Sequence, residues 1–200
     1  MKRFNYVFLA LISILLLFGC SNNSVGNDET EVTTNIVASE DSEGGKTLVA
    51  YFSATGNTKN VAEKISEVID CDTFEIIPTQ PYTDDDLNYN EDNSRTSIEM
   101  NDKDSRPEIS NRVENMADYD VVFIGYPIWW GEAPRIINTF VESYDLENKT
   151  IIPFCTSGGS GIGDSSKNLE MLSPANWLEG KRFSGNASSE DIKSWLEDLK

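Results

Sequence analysis

From residue 46 onward, apolar and polar positions predict strands and helices in turn. Continuous apolar runs with β-favouring residues are typical of strands buried on both faces of a parallel sheet. Four such strands are predicted, at 47–52, 73–77, 120–125 and 150–155, and a weaker one around 181–184. Alternation with helices requires right-handed crossovers, so the pattern predicts an α/β fold with helices on both faces of the sheet.

Some of the segments between these strands have apolar residues at helical spacing, and others have no periodic pattern. The stripe Val61, Ala62, Ile65, Val68 and Ile69 predicts a first helix. Further helices are predicted at 94–100, at 110–117 with Ser110 as cap, at 135–144 with Pro134 at its first position, at 165–172 and at 189–199. The polar, acidic stretch 82–106 is expected to cross the surface near the carboxyl ends of the strands.

The N-terminus predicts export and anchoring. Lys2 and Arg3 precede an apolar run at 7–18 that is too short to span a membrane comfortably. The run ends in Leu-Phe-Gly-Cys, which resembles a bacterial lipobox, so residues 1–19 are predicted to be a signal peptide and Cys20 the lipidated residue. The alternative is an uncleaved anchor. Either way the chain is expected at the extracytoplasmic face of the bacterial cell membrane, on a flexible linker over 20–45.

Composition narrows the function. The net charge of −18 argues against nucleic acid as a partner and favours partners with basic faces. The chain contains no histidine, which removes the common Ser-His-Asp, Cys-His and His-ligated zinc sites. The three cysteines lie far apart in the sequence, which argues against a metal cluster bound by cysteines. Cys71 and Cys155 are expected to be buried thiols. Chemistry is therefore expected from a bound cofactor.

Three loops carry candidate binding residues. The first follows strand one and opens a helix, where unpaired N–H groups favour an anion, although a capped helix start is the simpler alternative. The second places two tryptophans in a turn, and the third is rich in glycine, which permits close approach to a ligand. The candidates are Ser53, Ala54, Thr55, Gly56, Asn57 and Thr58; Pro127, Ile128, Trp129, Trp130 and Gly131; and Thr156, Ser157, Gly158, Gly159 and Gly161.

The first loop, Ser-x-Thr-Gly-x-Thr, resembles the FMN-phosphate loop of flavodoxins. The second, Tyr-Pro-Ile-Trp-Trp-Gly, the third, Thr-Ser-Gly-Gly-Ser-Gly-Ile-Gly, and the stretch Arg106–Ile109 resemble one branch of that family. The resemblance covers residues 46–200. It implies a flavodoxin-like three-layer sandwich with a five-stranded parallel sheet in the order 2-1-3-4-5, which brings the three loops together. The best-known flavodoxins have a stacking tyrosine in the third loop, whereas no aromatic residue lies between Thr156 and Asp164.

The resemblance implies a monomeric electron carrier, rather than an enzyme, that holds FMN and exchanges electrons with redox proteins. Two alternatives stay open. One is an FMN-dependent NAD(P)H:quinone-type oxidoreductase on the same fold. The other is a surface protein that has kept the fold and lost the flavin.

Overall fold

The computed structural model describes residues 45–199. Six strands and five α-helices follow one another in this part of the chain. They are β1 (Lys46–Tyr51), α1 (Asn57–Ile69), β2 (Asp72–Glu75), α2 (Arg95–Asn101), β3 (Tyr119–Pro127), α3 (Arg135–Glu142), β4 (Thr150–Thr156), α4 (Ser165–Glu170), β5 (Asn176–Trp177), β6 (Lys181–Phe183) and α5 (Ser189–Asp198). The predictions for the signal peptide, for Cys20 and, apart from Gly45, for the linker lie outside the described residues.

The strands form one parallel sheet in the order β2-β1-β3-β4-β5, which confirms the predicted order. The predicted fifth strand is divided into two pieces, because β5 and β6 both pair with β4. The interruption falls opposite Pro153, which has no N–H to donate to a neighbouring strand. Gly180 fills the gap, where an added Cβ would lie 2.9 Å from the carbonyl oxygen of Pro153.

A hydrophobic core covers each face of the sheet. Because side chains alternate along a strand, Leu48 and Ala50 of β1 face one core while Val49 and Tyr51 face the other. The first core also receives α3, and the second receives α1 and α5. Within residues 45–199, no helix is long and apolar enough to cross a membrane.

The prediction of a helix at 110–117 is wrong. Only a 3₁₀ turn at Met116–Asp118 forms there. The backbone N–H and the hydroxyl of Ser110 both donate to the carbonyl oxygen of Ile77, at 2.8 and 3.1 Å, and Pro78 and Ile109 form an antiparallel bridge. Hydrogen bonds to the chain that follows β2 therefore hold the start of this segment in a non-helical conformation that local spacing does not reveal.

The other predicted helices form with small changes. Ser94 caps α2 by accepting a hydrogen bond from the backbone N–H of Ser97. Pro134 occupies the N-cap of α3 rather than its first helical position. The shift leaves the site unchanged, because α3 still begins directly after the second loop.

The two cysteines in the described chain differ in burial. Cys155 is buried as predicted, whereas Cys71 is only partly buried, because it follows the end of α1 near the edge strand β2. Burial raises the pKa of both thiols to about 12, and Asp72 and Asp70 add to the effect at Cys71. Because Cys155 is buried in β4 and its thiol stays protonated at neutral pH, it offers no nucleophile there.

These thiols are expected to resist alkylation in the folded protein. At about pH 8 an ordinary thiol is about a quarter ionised, whereas a thiol with a pKa of about 12 is ionised to about one part in ten thousand. Iodoacetamide labelling, followed by peptide mapping, should therefore rise about tenfold per pH unit up to about pH 10. The same peptides in urea provide the control and should level off near their ordinary pKa. Equal rates in the folded and unfolded chain would contradict the prediction.

Candidate functional site

The three loops leave the carboxyl ends of the adjacent strands β1, β3 and β4. Two hydrogen bonds join them: the hydroxyls of Thr58 and Thr156 lie 2.8 Å apart, and the N–H of Ile128 donates to the carbonyl oxygen of Thr156 at 2.9 Å. Thr58 and Thr156 are both buried. The strand order thus brings together residues that lie about a hundred positions apart in sequence.

The first loop presents unpartnered polar groups. No side chain of the described residues caps the N-terminus of α1, and Gly56 at the N-cap has φ +83°. The hydroxyl of Ser53 is buried and has no hydrogen-bond partner among residues 45–199. The amide of Asn57 donates to the hydroxyl of Thr55 at 3.0 Å. An anion with several oxygens could accept hydrogen bonds from Ser53 and from the first N–H groups of α1.

The second loop ends in a tight turn. The N–H groups of Trp129 and Glu132 donate to each other's carbonyl oxygens at 3.0 and 2.9 Å. The two central residues, Trp130 and Gly131, have φ +49° and +80°, the signs that a type I′ turn requires. Glycine adopts this conformation readily, but a tryptophan does so at a cost of about 1–2 kcal/mol. Trp130 is also 49% exposed, so burial in the core does not compensate for that cost.

Replacing Trp130 with asparagine is expected to stabilise the protein. Asn-Gly is the preferred pair for a type I′ turn, so Trp130→Asn should raise the free energy of unfolding by about 1 kcal/mol in urea titrations. Trp130→Ala is the matched control, because it removes the ring but keeps most of the backbone cost. A Trp130→Asn variant no more stable than Trp130→Ala would show that the turn stores no strain.

Trp129 packs against a cluster of aromatic and charged side chains. Its ring meets Phe52 and Tyr82 edge-on, with centroids 5.6 and 5.3 Å away. The hydroxyl of Tyr82 donates to Glu99 at 2.6 Å, and Arg95 bonds to Glu99 at 2.7 Å while lying 4.0 Å from the centre of the Tyr82 ring. Burial and the Glu99 hydrogen bond raise the pKa of Tyr82, which therefore stays protonated. The cluster fixes the orientation of Trp129.

The third loop is tied to β6 and to the second loop. Arg182 donates to the hydroxyl and the carbonyl oxygen of Ser157, at 3.1 and 2.6 Å. Beyond it, Asn168 of α4 donates to both carboxylate oxygens of Glu132 at 2.8 and 2.7 Å, which joins the second loop to the helix after the third. Apart from Gly158 itself and its two neighbours in the chain, no described residue has an atom within 4 Å of a Cβ built on Gly158, so the backbone there is accessible.

Two cavities lie over these loops. A largely apolar cavity of about 520 Å³ lies between the first and second loops, and a more polar one of about 400 Å³ lies between the first loop and the third. They share Thr55, Pro127, Ile128 and Trp129 and so form one groove. Of the other predicted residues, Ala54, Thr58 and Trp130 line the apolar cavity, and Asn57, Thr156, Ser157 and Gly158 line the polar one. Ser53, Gly56, Gly131, Gly159 and Gly161 lie beside them on the same loops.

The groove also contains residues that the sequence did not single out. Leu87, Tyr89 and Thr96 line the apolar cavity, and Ser184, Gly185 and Asn186 line the polar one. Arg182 supports the third loop without lining either cavity. The only signal in the sequence for Leu87, Tyr89 and Thr96 was the expected course of residues 82–106 near the strand ends. Residues 184–186 lie near the first loop because β6 pairs with β4.

A parallel sheet in this order, with an open helix N-terminus after β1 and an aromatic loop after β3, defines the class of flavodoxin-like α/β proteins. The chain belongs to the Flavodoxin family, whose profile matches residues 46–199.

Solved structures agree with this assignment. A protein from Bacteroides eggerthii that is classed as a flavoprotein is 50% identical, with a TM-score of 0.74 over 78% of this chain and 98% of that one. A similarly classed protein from Bacteroides uniformis is 47% identical, with a TM-score of 0.74 over 78% and 99% of the two chains. A flavoprotein from Lactobacillus acidophilus, solved in complex with FMN, is 25% identical, with a TM-score of 0.59 over 76% and 99%. None of the curated proteins compared with the chain matches it.

Proposed function

We propose that the chain binds one FMN in the groove and acts as an electron carrier. The observation that carries the proposal is the buried, unpartnered hydroxyl of Ser53, which lies at an uncapped helix N-terminus beside an aromatic cavity. Family membership and the FMN complex of the Lactobacillus acidophilus protein support the same cofactor.

The residues present fit the two ends of FMN. The phosphate would accept hydrogen bonds from Ser53, Thr55 and Thr58 and from N–H groups at the start of α1, with the helix dipole favouring its negative charge. The flat ring system would pack on Trp129 and Trp130, whose side chains line the apolar cavity. The space beside Gly158 and Gly159 is open, so their backbone N–H and C=O groups could approach the polar edge of the ring. Bound FMN would supply one- and two-electron redox chemistry.

The location and the partners form part of the proposal. Lipid attached to Cys20 would hold the domain at the extracytoplasmic face of the membrane, and the linker would let it reach membrane redox proteins. The net charge of −18 favours redox-protein partners with basic docking faces, which the chain would meet as a monomer. Mass spectrometry of the chain and of Cys20→Ala tests the anchor: a lipid-sized mass on Cys20 is expected, and an unmodified Cys20 would contradict it.

An anaerobic potentiometric titration of the FMN-loaded chain tests the electron-carrier function. An electron carrier should take up two electrons in two separate one-electron steps. A single two-electron step, together with oxidation of NAD(P)H in the presence of a quinone, would instead establish the oxidoreductase. A chain that does not bind added FMN would overturn both functions and favour a protein that has lost the flavin.

A further inference from the structure

The outer wall of the apolar cavity comes from outside the three loops. Leu87, Tyr89 and Thr96 line it, and all three belong to the acidic stretch between β2 and β3. Tyr89 is 73% exposed, which makes it one of the most exposed large hydrophobic side chains of the described chain. A single exposed tyrosine needs no explanation, but this one faces a cavity that already contains Trp129 and Trp130.

Tyr89 lies in an arch, residues 87–90, that is fixed at both ends. At one end the carbonyl oxygen of Asp86 accepts hydrogen bonds from the N–H and the hydroxyl of Thr96, at 3.2 and 2.6 Å. At the other end the carbonyl oxygen of Glu91 accepts from the N–H of Ser94 and the hydroxyl of Ser97, at 3.0 and 2.8 Å.

The anchors of the arch are buried, and internal bonds support it. Ser94, Thr96 and Ser97 are buried at the start of α2, whereas Asp86 is partly buried and Glu91 is exposed. Within the arch, the N–H of Asn90 donates to the side chain of Asn88 at 3.1 Å. An exposed aromatic side chain is therefore carried on a positioned backbone, which reduces the entropy lost when the ring contacts a ligand.

We infer that Tyr89 is an aromatic contact of the bound flavin ring, and that Thr96 positions it by holding the arch. The inference rests on the proposed function, since it takes FMN as the ligand. A flavin ring is flat and aromatic and can be contacted on both faces. The second loop offers Trp129 and Trp130 for such contacts, and the arch offers Tyr89. The third loop has no aromatic residue of its own that could take this role.

FMN titrations of Tyr89→Ala and Tyr89→Phe, with the full-length chain, test the inference. Affinity and the residual fluorescence of bound FMN are measured together, because a phenol in contact with a flavin quenches its emission. Tyr89→Ala should bind FMN about 5- to 10-fold more weakly and with brighter bound FMN. Tyr89→Phe should keep most of the affinity but lose part of the quenching.

Met171→Ala is the matched control, because Met171 is 77% exposed and lines neither cavity. If Tyr89→Ala and Met171→Ala behave alike in both readouts while the wild type binds FMN, the inference is overturned and the proposed function stands. A wild type that does not bind FMN would overturn the proposed function, and the inference with it.

Thr96→Val tests whether the bond from Thr96 to Asp86 positions the arch. Valine keeps the shape of threonine and the backbone N–H bond but removes the 2.6 Å bond from the hydroxyl to Asp86. A two- to threefold loss of FMN affinity, with brighter bound FMN, is expected because the arch loosens. Unchanged affinity and emission would remove Thr96 from the inference.

Discussion

A Thr55→Asp variant is expected to bind FMN about 100-fold more weakly than the wild-type chain. Thr55 is an exposed residue of the first loop that lines both cavities, so the substitution should leave the fold intact. It would place a carboxylate beside the proposed phosphate site, which contains no Lys or Arg before Lys59 to compensate. Repulsion between charges about 5 Å apart, at an effective dielectric constant of about 20, amounts to about 3 kcal/mol.

Two controls isolate the charge. Thr55→Asn has nearly the same shape as Thr55→Asp without the charge, so its affinity for FMN should stay within about threefold of the wild type. Riboflavin, which lacks the phosphate, should bind all three proteins alike. Isothermal titration at low and high salt completes the test, since the effect should shrink as salt screens the charge. If Thr55→Asp weakens riboflavin as much as FMN, the phosphate does not lie at this loop.

The Gly125→Ala substitution is expected to lower the free energy of unfolding by about 3 kcal/mol. Gly125 of β3 pairs in register with Phe154 of β4, and an added Cβ would lie 2.2 Å from the tip of the Phe154 ring. Phe154 is fully buried in the core against α1 and α5, so its ring has little room to move. Overpacking a buried site of this kind costs about 1–3 kcal/mol, and the short distance places this one at the upper end.

Urea denaturation of a double-mutant cycle gives the measurement. Phe154→Leu alone should destabilise the chain because it removes buried atoms. Combined with Gly125→Ala, it should cost at least about 1 kcal/mol less than the sum of the two single changes, since the smaller side chain leaves space for the new methyl group.

Gly158→Ala is the control for the Gly125→Ala substitution itself. Apart from Gly158 itself and its two chain neighbours, no residue of 45–199 has an atom within 4 Å of the added Cβ, so the free energy of unfolding should change by less than about 0.5 kcal/mol. Strict additivity of Gly125→Ala and Phe154→Leu would show that the steric conflict is not the cause of the destabilisation.

The sequence alone determined the sheet and its loops. Long apolar runs at β1, β3 and β4 can only be buried on both faces of a sheet, and the helical stripes between them require parallel crossovers. The strand order then places all three predicted loops, Ser53–Thr58, Pro127–Gly131 and the one that begins at Thr156, at one edge of the sheet. Periodicity is a local property, so it identifies elements reliably when each one buries its own apolar face.

Only the tertiary structure decided several local conformations around these loops and elsewhere in the chain. The non-helical course of 110–115 depends on Ser110 reaching Ile77, the conformation of the third loop depends on Arg182 reaching Ser157, and the arch at 87–90 depends on Thr96 reaching Asp86. Each is a polar contact between residues ten or more positions apart in the sequence, and each gives a backbone carbonyl oxygen a hydrogen-bond partner. Such contacts leave no repeating pattern in the chain, because the partner is selected by where the packed sheet and helices bring the backbone.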